Sequence, residues 1–236
     1  MKIEAARAAV RAAKAVVVLT GAGVSAESGI PTFRSNGGFW RTRRFEDLAT
    51  PQGFARDPKL VWEWYEERRR SIAAARPNAG HEALAALERR LARFTLITQN
   101  VDGLHERAGS KNIVKLHGDI WVLRCTVCGR ERTDREPIAE LPPHCACGGM
   151  QRPGVVWFGE TLPEGAMERA AEAVGHADVV IVAGTSARVY PAAGLIPMAM
   201  DRGATVIEVN PEATDFSGEV TFALRGPSAE LLPQLL

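Results

Sequence analysis

Ala15-Val16-Val17-Val18-Leu19 runs into Gly21-Ala22-Gly23-Val24-Ser25-Ala26-Glu27-Ser28-Gly29-Ile30-Pro31-Thr32-Phe33-Arg34, and this junction decides the fold. A short uninterrupted apolar run reads as a strand buried on both faces of a parallel sheet. Gly21, Gly23 and Ala26 follow the spacing G-x-G-x-x-G/A. There the first glycine permits a tight turn, the second lets backbone approach a pyrophosphate, and a helix N-terminus faces the charge. The continuation is unusual. A Gly29-Ile30-Pro31 turn and the pair Phe33-Arg34 prolong the loop where a dinucleotide-binding fold enters a long helix. The loop is expected to reach over the nucleotide.

Outward from this junction, strand and helix patterns alternate. Residues 3–14 form an alanine-rich helix, and strands are expected at 94–98, 113–116, 179–183, 205–209 and 220–223, with a short terminal helix. Asn78 is the expected N-cap of a helix ending near Leu91, and a charged helix carrying Trp62, Trp64 and Tyr65 spans about 58–75. The expected fold is α/β, with a Rossmann-like parallel sheet covered by helices on both faces. Segments 35–77 and 120–153 break the alternation. They read as a helical and a cysteine-rich insertion that together form a small second domain. Residues 1–34, 78–119 and 154–236 then form the dinucleotide-binding domain.

Composition narrows the function. Apolar residues make up 46% of the 236, enough for a sizeable core, and the formal net charge is +1. That balance argues against a nucleic-acid binder held by bulk electrostatics. The clusters Arg41, Arg43, Arg44 and Arg68-Arg69-Arg70 read as solvated faces. No apolar run reaches the ~18 residues of a membrane span, and the first residues lack a secretory pattern, so a cytoplasmic protein is expected. The expected oligomeric state is a monomer.

Cys125-x2-Cys128 and Cys145-x-Cys147 are two close thiol pairs in a proline- and glycine-rich stretch. In an intracellular chain this pattern points to a closed, structural tetrahedral zinc site before it points to disulfides. His144 stands close enough in sequence to offer a site of three cysteines and one histidine as the alternative. Thr98-Gln99-Asn100-Val101-Asp102-Gly103 closes a strand, where ligands meet an open α/β sheet. Its amides and carboxylate suit a carboxamide and ribose hydroxyls. Of the five histidines, His117 alone is expected at the carboxyl end of a strand with a glycine behind it, the position of a general base.

These elements, in this order, resemble the sirtuins. The resemblance rests on the loop Gly21 to Arg34, Thr98 to Asp102, His117-Gly118, the paired cysteines, Arg152-Pro153-Gly154-Val155-Val156-Trp157-Phe158-Gly159-Glu160, Gly184-Thr185-Ser186 and Val209-Asn210. It spans nearly the whole chain and implies an NAD-dependent protein-lysine deacylase with a Rossmann-like domain and a zinc-bearing one. NAD is then a consumed co-substrate, and acyl-lysine proteins or peptides are the partners, without membrane or direct nucleic-acid binding. The resemblance makes His117 the base acting on the nicotinamide ribose. It places NAD contacts at Gly21, Ala22, Gly23, Ser25, Glu27, Ile30, Phe33, Arg34 and Trp40. Further contacts are implied at Gln99, Asn100, Val101, Asp102, Gly184, Thr185, Ser186, Asn210, Pro211, Glu212 and Ser228. Val156, Phe158, Gly159 and Glu160 would pair with substrate peptide by strand addition.

Tyr65 and Arg68 stand three apart on the long helix and can face one side. A phenol beside a guanidinium can bind a carboxylate. With the small Ala49, Tyr65-x-x-Arg68 resembles the sirtuin branch that removes succinyl and malonyl groups, with deacetylation as a second activity. An ordinary charged helix is the competing reading. Among other functions, mono-ADP-ribosyl transfer is the nearest rival, followed by a plain deacetylase. Hydride transfer is disfavoured because no acidic residue is clearly placed about 20 positions after Gly21 on a second strand. A zinc-ribbon module that binds nucleic acid or protein is the non-enzymatic alternative.

Overall fold

The computed structural model describes residues 2–32 and 45–236, so Phe33, Arg34 and Trp40 lie outside the described residues. The chain opens with α1 (Lys2–Ala12), β1 (Ala15–Thr20) and the four-residue α2 (Gly23–Ala26). Four helices follow: α3 (Phe45–Leu48), α4 (Pro51–Arg56), α5 (Pro58–Ala74) and α6 (Ala79–Arg90). Next come β2 (Arg93–Thr98), α7 (Leu104–Ala108), β3 (Ile113–Lys115), β4 (Gly118–Cys125), β5 (Glu131–Thr133) and β6 (Gln151–Val155). The chain closes with α8 (Ala166–Gly175), β7 (Val179–Ala183), α9 (Leu195–Asp201), β8 (Thr205–Val209), β9 (Phe222–Leu224) and α10 (Ser228–Leu231).

Six strands form one parallel sheet in the order β3-β2-β1-β7-β8-β9. Both β1 and β7 are buried along their whole length. Alternation along β1 feeds two cores. Val16 and Val18 pack with Ala6, Val10, Leu84 and Leu87 of α1 and α6, while Val17 and Leu19 pack with Ala170, Val174, Leu195 and Ile196 of α8 and α9. A strand apolar on both faces therefore reads as a continuous run. The strand order reverses direction between β1 and β7, and a crevice opens outside their carboxyl ends, where such sheets bind ligands.

Two details differ from expectation. The sequence pattern predicts no helix between residues 153 and 179, yet α8 buries Ala166, Ala170 and Val174 at four-residue steps. Its apolar stripe is mostly alanine, which is too small to stand out as a period. The last strand begins at Phe222, because Glu219 and Val220 donate their N–H groups to Phe216 in a turn. Thr221 spends its hydroxyl accepting from the Val206 N–H at 3.1 Å.

A second, antiparallel sheet, β5-β4-β6, packs against α5 around a third core that includes Trp62, Tyr65, Ile120, Leu123 and Trp157. Trp62 donates its indole N–H to the Gln151 carbonyl at 2.7 Å. The Arg68-Arg69-Arg70 run is a correction, since it is not a solvated face. Only Arg70 is exposed, whereas Arg68 and Arg69 are 5% and 2% exposed. Arg69 pairs with Glu66 at 3.1 Å and donates to the carbonyls of Ile120, Asp134 and Glu136 at 2.8–3.0 Å. A buried guanidinium so fully partnered fixes α5 against β4, and removing one partner of such a pair costs about 3–5 kcal/mol. Among the described residues no helix is long and apolar enough to cross a membrane.

Candidate active site

The loop after β1 and the loop after β7 meet backbone to backbone. Gly21 N–H donates to Ala183 O at 3.1 Å, and Gly23 N–H to Gly184 O at 2.7 Å. A Cβ on Gly21 would stand 2.8 Å from Thr185 Cβ, and one on Gly184, at φ +58°, only 2.3 Å from the Val24 nitrogen. Side chains at these positions would force the loops apart, which is the close approach that the glycines permit.

Asn100, Asp102 and Ser25 are buried beneath these loops. Asn100 Nδ2 donates to Gly21 O at 3.0 Å and to Ser25 Oγ at 3.3 Å. Ser25 in turn donates to Asp102 Oδ2 at 2.8 Å, and Leu104 N–H donates to Asp102 Oδ1 at 2.8 Å. Burial raises the Asp102 carboxyl above the usual range, and these two hydrogen bonds oppose it. Across the crevice, Gln99 Nε2 donates to Thr185 Oγ1 at 3.2 Å. Ala22 and Ser186 are half-buried beside this network, and Ile30 is buried.

His117 stands two residues after the end of β3 and immediately before β4. Its Nδ1 lies 3.1 Å from Gln99 O, and its own carbonyl accepts from Val156 N–H at 3.0 Å. Burial lowers its pKa below 6.5, with the Gln99 carbonyl opposing. Gly118 sits at φ +80°, and a Cβ there would lie 2.2 Å from Gly154 O. That glycine lets the chain turn sharply from His117 into the second sheet. One connected set thus joins Gly21, Gly23, Ser25, Gln99, Asn100, Asp102, Gly184, Thr185 and His117. Its glycine-lined approach and its amides and carboxylate fit a dinucleotide with a carboxamide end. Val101 borders it, its carbonyl accepting from Ile120 N–H at 3.0 Å.

The 156–160 segment continues from β6. Phe158 is 52% exposed, and its N–H donates to Ala49 O at 3.0 Å, which brings Ala49 to this edge. The Glu160 carboxylate is engaged by Arg152 at 2.5 and 2.8 Å and by Trp157 N–H at 2.8 Å, and Arg152 draws its pKa down against the effect of burial. Gly159, at φ +86°, is exposed beside it. Tyr65 and Arg68 are buried together, and the guanidinium lies 4.7 Å from the Trp64 ring and 5.6 Å from the Tyr65 ring.

Beyond β8, Asn210 Nδ2 donates to Glu212 O at 2.9 Å, with Pro211 and Glu212 exposed. Glu27 accepts from Ala229 N–H at 3.0 Å, tying the glycine loop to α10. Ser228 is fully buried at the start of α10, against Gly80.

Sequence reasoning passed over a polar chain under the site. The rings of His81 and His105 meet at a tilt of 54°, with centroids 4.8 Å apart. His81 Nε2 reaches Ser25 Oγ at 3.4 Å, and His105 Nε2 reaches Thr20 Oγ1 at 3.1 Å. Burial drives their pKa values down to about 4 and about 3. The signal for His81 was available, because it completes the capping box that Asn78 begins.

The sulfur atoms of Cys125, Cys128, Cys145 and Cys147 all lie within 4.8 Å of one another. Cys125–Cys147, Cys128–Cys147 and Cys128–Cys145 are 3.5, 3.5 and 3.8 Å apart. Tetrahedral zinc with Zn–S bonds of about 2.3 Å requires sulfurs about 3.8 Å apart, so the group fits. Backbone N–H groups of Cys128 and Val127 point at Cys125 Sγ and pull its thiol down to about 6. His144 is exposed and outside this group, so the four-cysteine set stands and the histidine alternative falls.

Fold and site define a doubly wound α/β protein with a dinucleotide crevice and a four-thiolate zinc module. A Sir2 family profile matches residues 21–191. A protein from Aquifex aeolicus named NAD-dependent protein deacylase is 58% identical over 201 residues, covering 84% of each chain. A crystal structure of a Sir2 homologue–NAD complex superposes with a TM-score of 0.93 at 48% identity, covering 98% of this chain and 91% of that one. A Sir2 structure bound to acetylated peptide superposes at 0.89 and 31% identity, covering 100% and 97%. This chain belongs to the Sir2 family, as the sequence resemblance implied.

Proposed function

We propose that the protein is an NAD-dependent protein-lysine deacylase, and that it acts on acidic acyl groups, succinyl and malonyl, in addition to acetyl. The observation that carries the catalytic reading is the hydrogen-bonded set that joins both crevice loops to Gln99 and, through it, to His117. NAD when bound supplies an electrophilic ribose carbon, nicotinamide as leaving group and an acceptor for the acyl group. The chain's residues do the rest. Ala22, Thr185 and Ser186 face phosphate and ribose with backbone N–H groups and short side chains, while Gly21, Gly23 and Gly184, whose N–H groups are donated to Ala183 O, Gly184 O and Val209 O, let the cofactor approach the backbone closely. Asn100 and Asp102, with Ser25, Ile30 and Val101, receive the carboxamide, and Gln99 faces the ribose. Glu27, Asn210, Pro211, Glu212 and Ser228 serve the adenosine end. Phe33, Arg34 and Trp40, which lie outside the described residues, are assigned to the cofactor on the family resemblance alone.

His117 acts at Nε2. A carbonyl can only accept, so the 3.1 Å contact with Gln99 O puts the hydrogen on Nδ1 and leaves Nε2 as the acceptor of a ribose hydroxyl proton. We assign the acyl-lysine peptide to Val156, Phe158, Gly159 and Glu160; the N–H groups of Val156, Phe158 and Glu160 are donated to His117 O, Ala49 O and Trp157 O, so strand pairing there draws on the segment's carbonyls, and we read segments 35–77 and 120–153 as the small domain. Ala49, Tyr65 and Arg68 support the acidic-acyl preference. A buried phenol and guanidinium side by side favour a carboxylate over a methyl group.

The activity is tested by nicotinamide release with NAD and a succinyl- or acetyl-lysine peptide. Release that depends on the acyl peptide supports the reading, while release without it, or labelling of protein by ADP-ribose, favours ADP-ribosyl transfer. The preference is tested with Arg68→Met, which should lower succinyl turnover far more than acetyl turnover. Equal losses on both substrates defeat it.

A further inference from the structure

The Trp157 indole is enclosed on three sides. The Arg152 guanidinium carbon sits 3.4 Å from its ring centroid, the Phe54 ring lies 5.2 Å away, and Nε1–H donates to Tyr65 Oη at 2.9 Å. Arg152 is itself held by the Glu160 carboxylate and by Val155 O at 2.9 Å, and Glu160 also accepts from the Trp157 backbone N–H. A ring pinned in this way has one orientation, so its N–H points one way. On the other side of Tyr65, the Trp64 ring meets the phenol edge-on at 4.7 Å and carries Arg68 on its face.

An indole can only donate, whereas a phenol has one proton to give and an oxygen that accepts. The Trp157 contact therefore makes Tyr65 Oη the acceptor on that side and turns its O–H elsewhere. Burial keeps the phenol protonated by raising its pKa, with Arg68 opposing. An O–H donor turned away from Trp157 and next to a guanidinium matches an anion with two acceptor oxygens.

We propose that Trp157 is a positioning residue for acyl specificity: by occupying the acceptor side of Tyr65 Oη, it aims the phenol proton, together with Arg68, at the terminal carboxylate of an acidic acyl-lysine. This rests on the acidic-acyl reading above. Trp157 does not itself touch the acyl group. Its effect passes through Tyr65, and that dependence separates the proposal from a general packing role.

The test is a double-mutant cycle read as the ratio of succinyl to acetyl kcat/KM. Trp157→Phe keeps an aromatic ring against Arg152 and removes the donor. We expect the ratio to fall about tenfold, through a higher KM for the succinyl peptide, and to change by less than about twofold when the same substitution is made in Tyr65→Phe. An unchanged ratio, or an equal fall in both backgrounds, overturns the role of Trp157. An Arg68→Met variant with an unaltered ratio defeats the acidic-acyl reading itself, and with it this proposal. Should Trp157→Phe fail to fold, the wild-type protein decides. The Trp157 indole N–H resonance should move downfield with succinyl-lysine peptide and stay in place with acetyl-lysine peptide, because a phenol that donates to a carboxylate becomes a stronger acceptor. Identical spectra with the two peptides overturn the proposal.

Discussion

His117 Nδ1 lies 3.1 Å from the carbonyl oxygen of Gln99, and Gln99 in turn reaches Thr185 across the crevice. The base is therefore held by a residue that also spans the two halves of the sheet. Its tautomer is set by backbone rather than by a titratable partner, so it does not depend on the charge of a neighbour.

Replacing His117 by Tyr should cut deacylation by at least about 100-fold while NAD still binds. Because burial lowers the His117 pKa, the neutral base persists below pH 6.5. The acidic limb of the pH–rate profile should lie below that value and vanish in the residual activity of the variant. Isothermal titration with NAD and initial rates from pH 5 to 8 check both points. A variant near the wild-type rate removes His117 from the mechanism.

The buried pair His81 and His105 should make the fold acid-sensitive. Both stay neutral in the fold down to about pH 4 and about pH 3, whereas in the unfolded chain each takes up a proton below 6.5. The unfolded state binds more protons in that window, so stability is full above pH 6.5 and falls as the pH drops. Between pH 7 and 5 the loss should be on the order of 2 kcal/mol per histidine, since one pKa unit is ~1.4 kcal/mol. Urea unfolding at the two values measures it, and a His105→Gln variant should flatten the slope. Equal midpoints at pH 7 and 5 contradict the assignment.

Gly184→Ala places a Cβ 2.3 Å from the Val24 nitrogen on a backbone at φ +58°. The two crevice loops must then part. A loss of several kcal/mol in stability and weakened NAD affinity are expected, seen as a lower Tm and a raised Kd. A Gly203→Ala control also pays for a positive φ, but nothing lies within 4 Å of its added methyl, so it should cost less.

Chelation should act on the second sheet. The metal ligands run from Cys125, the last residue of β4, to Cys147, just before β6, and these two strands carry the chain to Val155. A strong chelator should lower the Tm and abolish activity, and zinc should restore both. Full structure in a metal-free preparation contradicts a structural site.

Much of this was legible in the sequence because the signals were local. The run before Gly21, the Asn78 cap and the thiol pairs each depend on neighbours a few residues away. The chain beneath the site was not legible. Ser25, His81 and Asp102 meet only because β1, α6 and the loop after β2 converge in space. Arg69 looked like surface charge because its partners, Ile120 of β4 and Asp134 and Glu136 of the loop after β5, are distant in sequence. Trp157 had no separate reading within the motif from Arg152 to Glu160, because its hydrogen bond to Tyr65 crosses from that segment to α5.

The central claim is that NAD is cut and its ADP-ribose receives the acyl group. Mass spectrometry of the products from NAD and a succinyl- or acetyl-lysine peptide tests it most directly. The account predicts equal amounts of free-lysine peptide, nicotinamide and acyl-ADP-ribose, with no NADH formed. Free acyl acid without NAD consumption, or ADP-ribose attached to protein with the acyl-lysine intact, would contradict it.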